Sequence, residues 1–134
     1  MLDLANDRLL VHDQQVGLFA AALADGARTL VSIAVGGGGQ DGGSGLAPDA
    51  AHDRILITPR APLMTGIGAV DLGDTDFDTI SNDELAGYGR GPTLHKAVTL
   101  AFDAANQVVI VRDEKTDALY EVDLVSGDRT LLSR

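Results

Sequence analysis

The sequence predicts an all-β chain assembled from about three four-stranded antiparallel units. Three observations carry this. A ten-residue phrase occurs twice, as LADGARTLVS (Leu23 to Ser32) and LVSGDRTLLS (Leu124 to Ser133), with six of ten positions identical. Extended backwards, the phrases belong to longer segments starting at Asp3 and Asp103, and a weaker copy starts at Asp49. The starts lie 46 and 54 positions apart, a spacing shared by blade-type β repeats and helical repeats. Within each copy the apolar residues form short runs that alternate or are β-branched and end on turn residues, which decides for strands.

The third copy is the most legible. AVTLAFD (Ala97 to Asp103) reads as a first strand, closed by the turn Asp103-Ala104-Ala105-Asn106. QVVIVRD (Gln107 to Asp113) is a β-branched run bounded by polar residues, as in a buried strand. ALYEVDL (Ala118 to Leu124) alternates, with Tyr120, Val122 and Leu124 on one face and Glu121 and Asp123 on the other. Ser126-Gly127-Asp128 is a tight turn whose glycine suits a positive φ, and Arg129 to Ser133 is the returning strand.

The first copy repeats this plan with one conflict. GLFAAALADG (Gly17 to Gly26) has the composition of a helix with a glycine C-cap. Its counterpart ALYEVDLVSG is a strand and turn, and equivalent positions of a repeat share a conformation, so a strand is expected here too. MLD at the start reads as the tail of an innermost strand, which makes the first unit incomplete. The middle copy keeps DAAHDRILI, the AVDL block and the final Ser81, but loses the Gly-x-Arg turn. Its innermost strand is obscured by VGGGGQDGGSGLAPD (Val35 to Asp49), which is too glycine-rich to read as a strand. The expected organisation is one domain over 1–134, with repeats at about 1–32, 33–81 and 82–134.

The composition narrows the classes of function. A formal charge of −10 disfavours nucleic acid and anionic membrane surfaces as partners. With no cysteine, disulfides, zinc thiolates and a cysteine nucleophile are excluded. No apolar run approaches a membrane span, and MLDLANDRLLV lacks the basic leader and apolar core of a signal peptide. The compartment is left open.

GPTLHKAVTLAFDAANQVVIVRD and ALYEVDLVSGDRTLLS in the third copy, with NDRLLVHD and GARTLVS in the first, resemble β-propeller blades. The nearest likeness is to the NHL and gluconolactonase-like groups. The resemblance implies blades arranged round a central channel, about six or seven in a closed ring. Three blades would leave two apolar faces in water. The expectation is therefore a partial propeller, either completed by oligomerisation, most simply two chains making six blades, or forming part of a longer parent propeller.

Such a topology puts the short, similar turns on one side and the loops that differ between copies on the other, where ligands are usually met. The candidate binding residues there are His12, Asp13, Arg60, His95, Arg112 and Asp113. The plainer reading is that the aspartates cap turns. DTDFD (Asp74 to Asp78) has the look of a calcium loop but lacks the glycine and glutamate of an EF-hand, so a local acidic turn is expected and no cofactor is assigned beyond that thought of calcium. His52 takes the place of Asn6 and Asn106, a turn role. GGGGQDGGSG lacks the Gly-Lys-Ser/Thr ending of a phosphate loop, and no Gly-x-Ser-x-Gly elbow occurs. No catalytic set emerges. The leading expectation is a non-enzymatic scaffold or binding module for a protein or small ligand. The alternative is half, or a fragment, of a metal-dependent hydrolase of the gluconolactonase-like kind, whose metal ligands do not map onto this chain.

Overall fold

The computed structural model describes residues 1–13, 17–32, 45–58, 66–74, 76–82 and 85–134. Among these residues twelve strands form three antiparallel sheets of four, each sheet a simple meander. The first contains β1 (Leu2–Asp3), β2 (Arg8–Asp13), β3 (Gly17–Ala22) and β4 (Arg28–Ser32). The second contains β5 (Leu46–Asp49), β6 (Arg54–Ile57), β7 (Gly66–Asp71) and β8 (Phe77–Asn82). The third contains β9 (Ala97–Asp103), β10 (Val108–Asp113), β11 (Ala118–Asp123) and β12 (Arg129–Ser133). Among the described residues there is no α-helix, only a 3-10 turn at Leu4–Asn6.

The alanine-rich stretch is a strand. Gly17–Ala22 pairs with β2 from Asp13↔Gly17 to Arg8↔Ala22 and with β4 on its other side, so ladder pairing overrides helix propensity. The first strand of the second sheet, illegible in the sequence, is Leu46–Asp49. Its Pro48 is tolerated because β5 is an edge strand, where a missing N–H breaks no central ladder. The first strand of the first sheet is short, two residues paired as Leu2↔Leu9 and Asp3↔Arg8.

The three meanders agree in detail. Each slips register once between its third and fourth strands, after Leu18, Ile67 and Leu119, which are equivalent positions. Such bulges increase local twist, so the outermost strand turns away from the rest of its sheet. Each also joins its two turns. The residue after the first turn, Asp7, Asp53 or Gln107, has a positive φ of 50°, 48° or 54°. Its carbonyl accepts the amide of Leu23, Leu72 or Leu124, just beyond the third strand.

Alternation gives every sheet a front and a back. The back of the first sheet (Leu10, Leu18, Ala20, Val31) packs on the front of the second (Ile55, Ile57, Val70, Phe77). The back of the second (Leu56, Ile67, Ala69, Ile80) packs on the front of the third (Leu100, Val109, Val111, Tyr120, Val122). The core therefore lies between sheets, always back on front, with β5 beside β9.

The connection into the third sheet departs from the expected sorting of loops to opposite ends. It runs along the last hairpin, where Arg129 N donates to Arg90 O (2.7 Å) and Arg90 N to Asp128 Oδ1 (2.7 Å). The contact is so close that a Cβ on Gly89 would lie 2.0 Å from Gly127 O, so only glycine fits there.

Candidate functional site

The repeated aspartates define one side of each sheet. Asp3 Oδ2 accepts Asn6 Nδ2 (2.9 Å) and Arg8 Nε (2.8 Å). Asp103 accepts Asn106 Nδ2 at 2.8 Å and the amides of Ala105 and Asn106. In the second sheet His52 Nδ1 lies 2.8 Å from Asp49 Oδ2, which also accepts Arg54 Nε. His52 thus does the work of the asparagines, as its position implies. Asp49 is fully buried and its Oδ1 has no partner among the described residues. The side-chain bond from Asn106, with the backbone amides, lowers the pKa of Asp103. Burial pushes Asp3 up, but Asn6 and Arg8 outweigh it and hold it below its ordinary value.

The opposite side carries the candidate residues. Asp113, at the end of β10, is completely buried. Its Oδ2 accepts the amides of His95 and of Lys96 (3.1 Å), and its Oδ1 those of Lys115 (2.9 Å) and Thr116 (3.0 Å). Burial pushes its pKa up, but the amides of Lys96, Thr116 and His95 prevail and keep it below the usual aspartate value. One carboxylate therefore ties the entry of β9 to the turn after β10. Ion pairs surround it: Lys96 with Glu114 at 2.7 Å, and Arg112 with Asp117 at 2.9 Å. His95 is exposed and joins the group through its backbone.

His12 and Asp13 occupy the equivalent position in the first sheet, apart from this cluster. His12 is half-buried on the back, and Asp13 is exposed on the front. Arg60 lies outside the described residues. The structure thus brings His95, Arg112 and Asp113 to one place and leaves His12 and Asp13 in another. Of DTDFD, Asp74 and Asp76 lie in an acidic turn and Phe77 and Asp78 open β8; Asp71 Oδ1 accepts the amides of Gly73 and Asp74, and Asp74 Oδ1 that of Asp76. Among the described residues no three His, Asp or Glu side chains converge as metal ligands would.

Two hollows open on the first sheet. One, of about 400 Å³, lies along its outer back edge and includes Arg8, Ala20, Ala22, Thr29 and Leu72. The other, of about 370 Å³, lies on its front, lined by Leu9, Val11, Asp13, Phe19, Ala21 and Arg28. Neither pairs a nucleophile with a base.

Sequence reasoning passed over Arg129. It is 7% exposed and donates from Nη1 to Ser81 Oγ (2.6 Å) and from Nε to Pro92 O (2.9 Å). Ser81 Oγ in turn donates to Gly127 O at 2.7 Å. This buried link ties the third sheet to the second. The signal was in the repeated Gly-x-Arg-Thr-Leu, where the arginine reads as the start of a strand and nothing more.

Compared with known proteins, the chain matches no family model and no curated sequence.

Proposed function

We propose that the chain is a non-enzymatic scaffold of propeller-blade type that presents variable loops to a protein or small-molecule ligand. The observation that carries this is the employment of Asp113. A catalytic carboxylate needs access to substrate, whereas this one spends its lone pairs on four backbone amides of two loops. The ion pairs Lys96–Glu114 and Arg112–Asp117 brace the same loops from outside. The three meanders of like order and register, stacked back on front, support the blade reading. Loops that differ between copies, HDQQVG, TPRAPLMTG and RDEKTDA, then vary over a constant frame, the usual arrangement of a recognition surface.

The test is metal analysis of dialysed protein, melting with calcium and with chelator, and a lactone-hydrolysis assay. The scaffold reading expects no stoichiometric metal, an unchanged melting temperature and hydrolysis at the blank rate. Bound metal together with chelator-sensitive lactone hydrolysis would overturn it in favour of the hydrolase.

A further inference from the structure

Two sheet faces have no cover from the described residues of a single chain: the front of the first sheet and the back of the third. On the first lie Leu9 (38% exposed), Val11 (43%) and Leu30 (47%), beside Phe19 and Ala21. On the second lie Leu119 (39%) and Leu132 (48%), beside Ile110. These positions match residues that are buried between the sheets. Leu9 and Val11 correspond to Ile55 and Ile57, and to Val109 and Val111, all 0–1% exposed. Leu119 corresponds to Ile67, also 0% exposed.

We propose that a second copy of this chain covers both faces, the back of its third sheet on the front of the first sheet here and the reverse, closing a two-fold ring of six sheets. The chain already makes this junction twice internally, and back-on-front contact repeats in one direction, so the two open faces are its continuation.

Two details fit. At the inner junction, Arg129 on a front reaches Ser81 on the preceding back. Register makes Arg28 the equivalent of Arg129 on the open front, and Ser133 the equivalent of Ser81 on the open back. The twice-written Arg-Thr-Leu-x-Ser thus supplies the arginine at one end of the chain and the serine at the other. The charges also complement. The open front carries Asp13 at the end of β2 and Arg28 at the start of β4. The open back carries Arg112, in one row with Leu119 and Ser133, and Glu121 in the row beside it. Each open face thus carries one acid and one base, and Glu121 stands where Ala20 and Ala69 lie at the inner junctions.

This inference rests on the blade reading of the sheets, but not on the absence of catalysis: a dimeric, metal-dependent lactonase would defeat the scaffold and leave the ring standing. The experiment is the solution mass of the full chain at micromolar concentration, for wild type, Val11→Glu and Leu119→Glu, with circular dichroism confirming the strands. The wild type is expected at twice the 13.9 kDa of one chain. Each variant alone falls to the single-chain mass. An equimolar mixture of the two regains the double mass in part, because one of its two junctions joins two unmutated faces. A monomeric wild type overturns the proposal. So does a dimer lost with Val11→Glu but kept with Leu119→Glu, which would mean front on front, or a mass that climbs with concentration, which would mean an open stack.

Discussion

Removing the carboxylate of Asp113 tests the central structural role assigned to this side chain. In Asp113→Ala four amides lose their acceptor. Those of Lys115 and Thr116 lie in an exposed turn and regain water, costing about 0.5 kcal/mol each. Those of His95 and Lys96 lie where the chain dives toward β9, and each costs nearer 1 kcal/mol. Together they amount to about 3 kcal/mol, a large share of the total stability of a domain this size. The melting temperature should fall by about 10 °C, read by circular dichroism at neutral pH. The sign with pH follows from the lowered pKa. A depressed folded-state value contributes stability above the unfolded pKa, and that stability is lost as pH falls through the folded value. The gap between wild type and variant should therefore hold from neutral pH down to about pH 4 and close below it. A variant melting within about 2 °C of wild type, or a gap that persists into strong acid, would refute the reasoning.

Two further outcomes follow from packing. Gly127→Ala and Gly26→Ala make the same change at matching turns, with φ of 75° and 73°, but a Cβ on Gly127 meets Ile80 O at 2.3 Å while one on Gly26 meets nothing within 4 Å. In urea titrations Gly26→Ala should cost about 1 kcal/mol, the positive φ alone, and Gly127→Ala at least twice that, and equal losses would contradict the clasp around the last hairpin. Tyr120 is 2% exposed and its hydroxyl lies 3.4 Å from Thr116 Oγ1, a long contact. Tyr120→Phe should lose less than about 1 kcal/mol and Tyr120→Ala about 3–5 kcal/mol in the same titration; near-equal losses would mean that the hydroxyl, not the ring, anchors the junction.

The sequence shows the strands best where polar turns punctuate β-branched runs. β9 to β12 fall within a residue of the runs read for them, because AVTLAFD, QVVIVRD and ALYEVDL carry both period and punctuation. β3 was legible only by comparison with its counterpart, since alanine alone points to helix. β5 was hidden because its partners, not its residues, make LAPD extended. The side of each sheet on which the aspartates act was readable from DxxN. What Asp113 holds was not, since its ligands are amides, which carry no residue identity, and two of them lie eighteen and seventeen residues upstream. Arg129 was missed because its burial depends on a neighbouring sheet rather than on its own strand.

The joined turns have a kinetic consequence. Each meander closes on itself through a bond within its own repeat, Leu23 to Asp7, Leu72 to Asp53 or Leu124 to Gln107, and this bond needs no contact with another sheet. Contacts of low sequence separation form early, so folding starts inside single sheets and stacking follows as a docking step. A newly made sheet then chooses among equivalent backs, those of its own chain and those of its neighbours. The regularity that makes the stack also makes exchange of sheets between chains the characteristic error of refolding at high concentration.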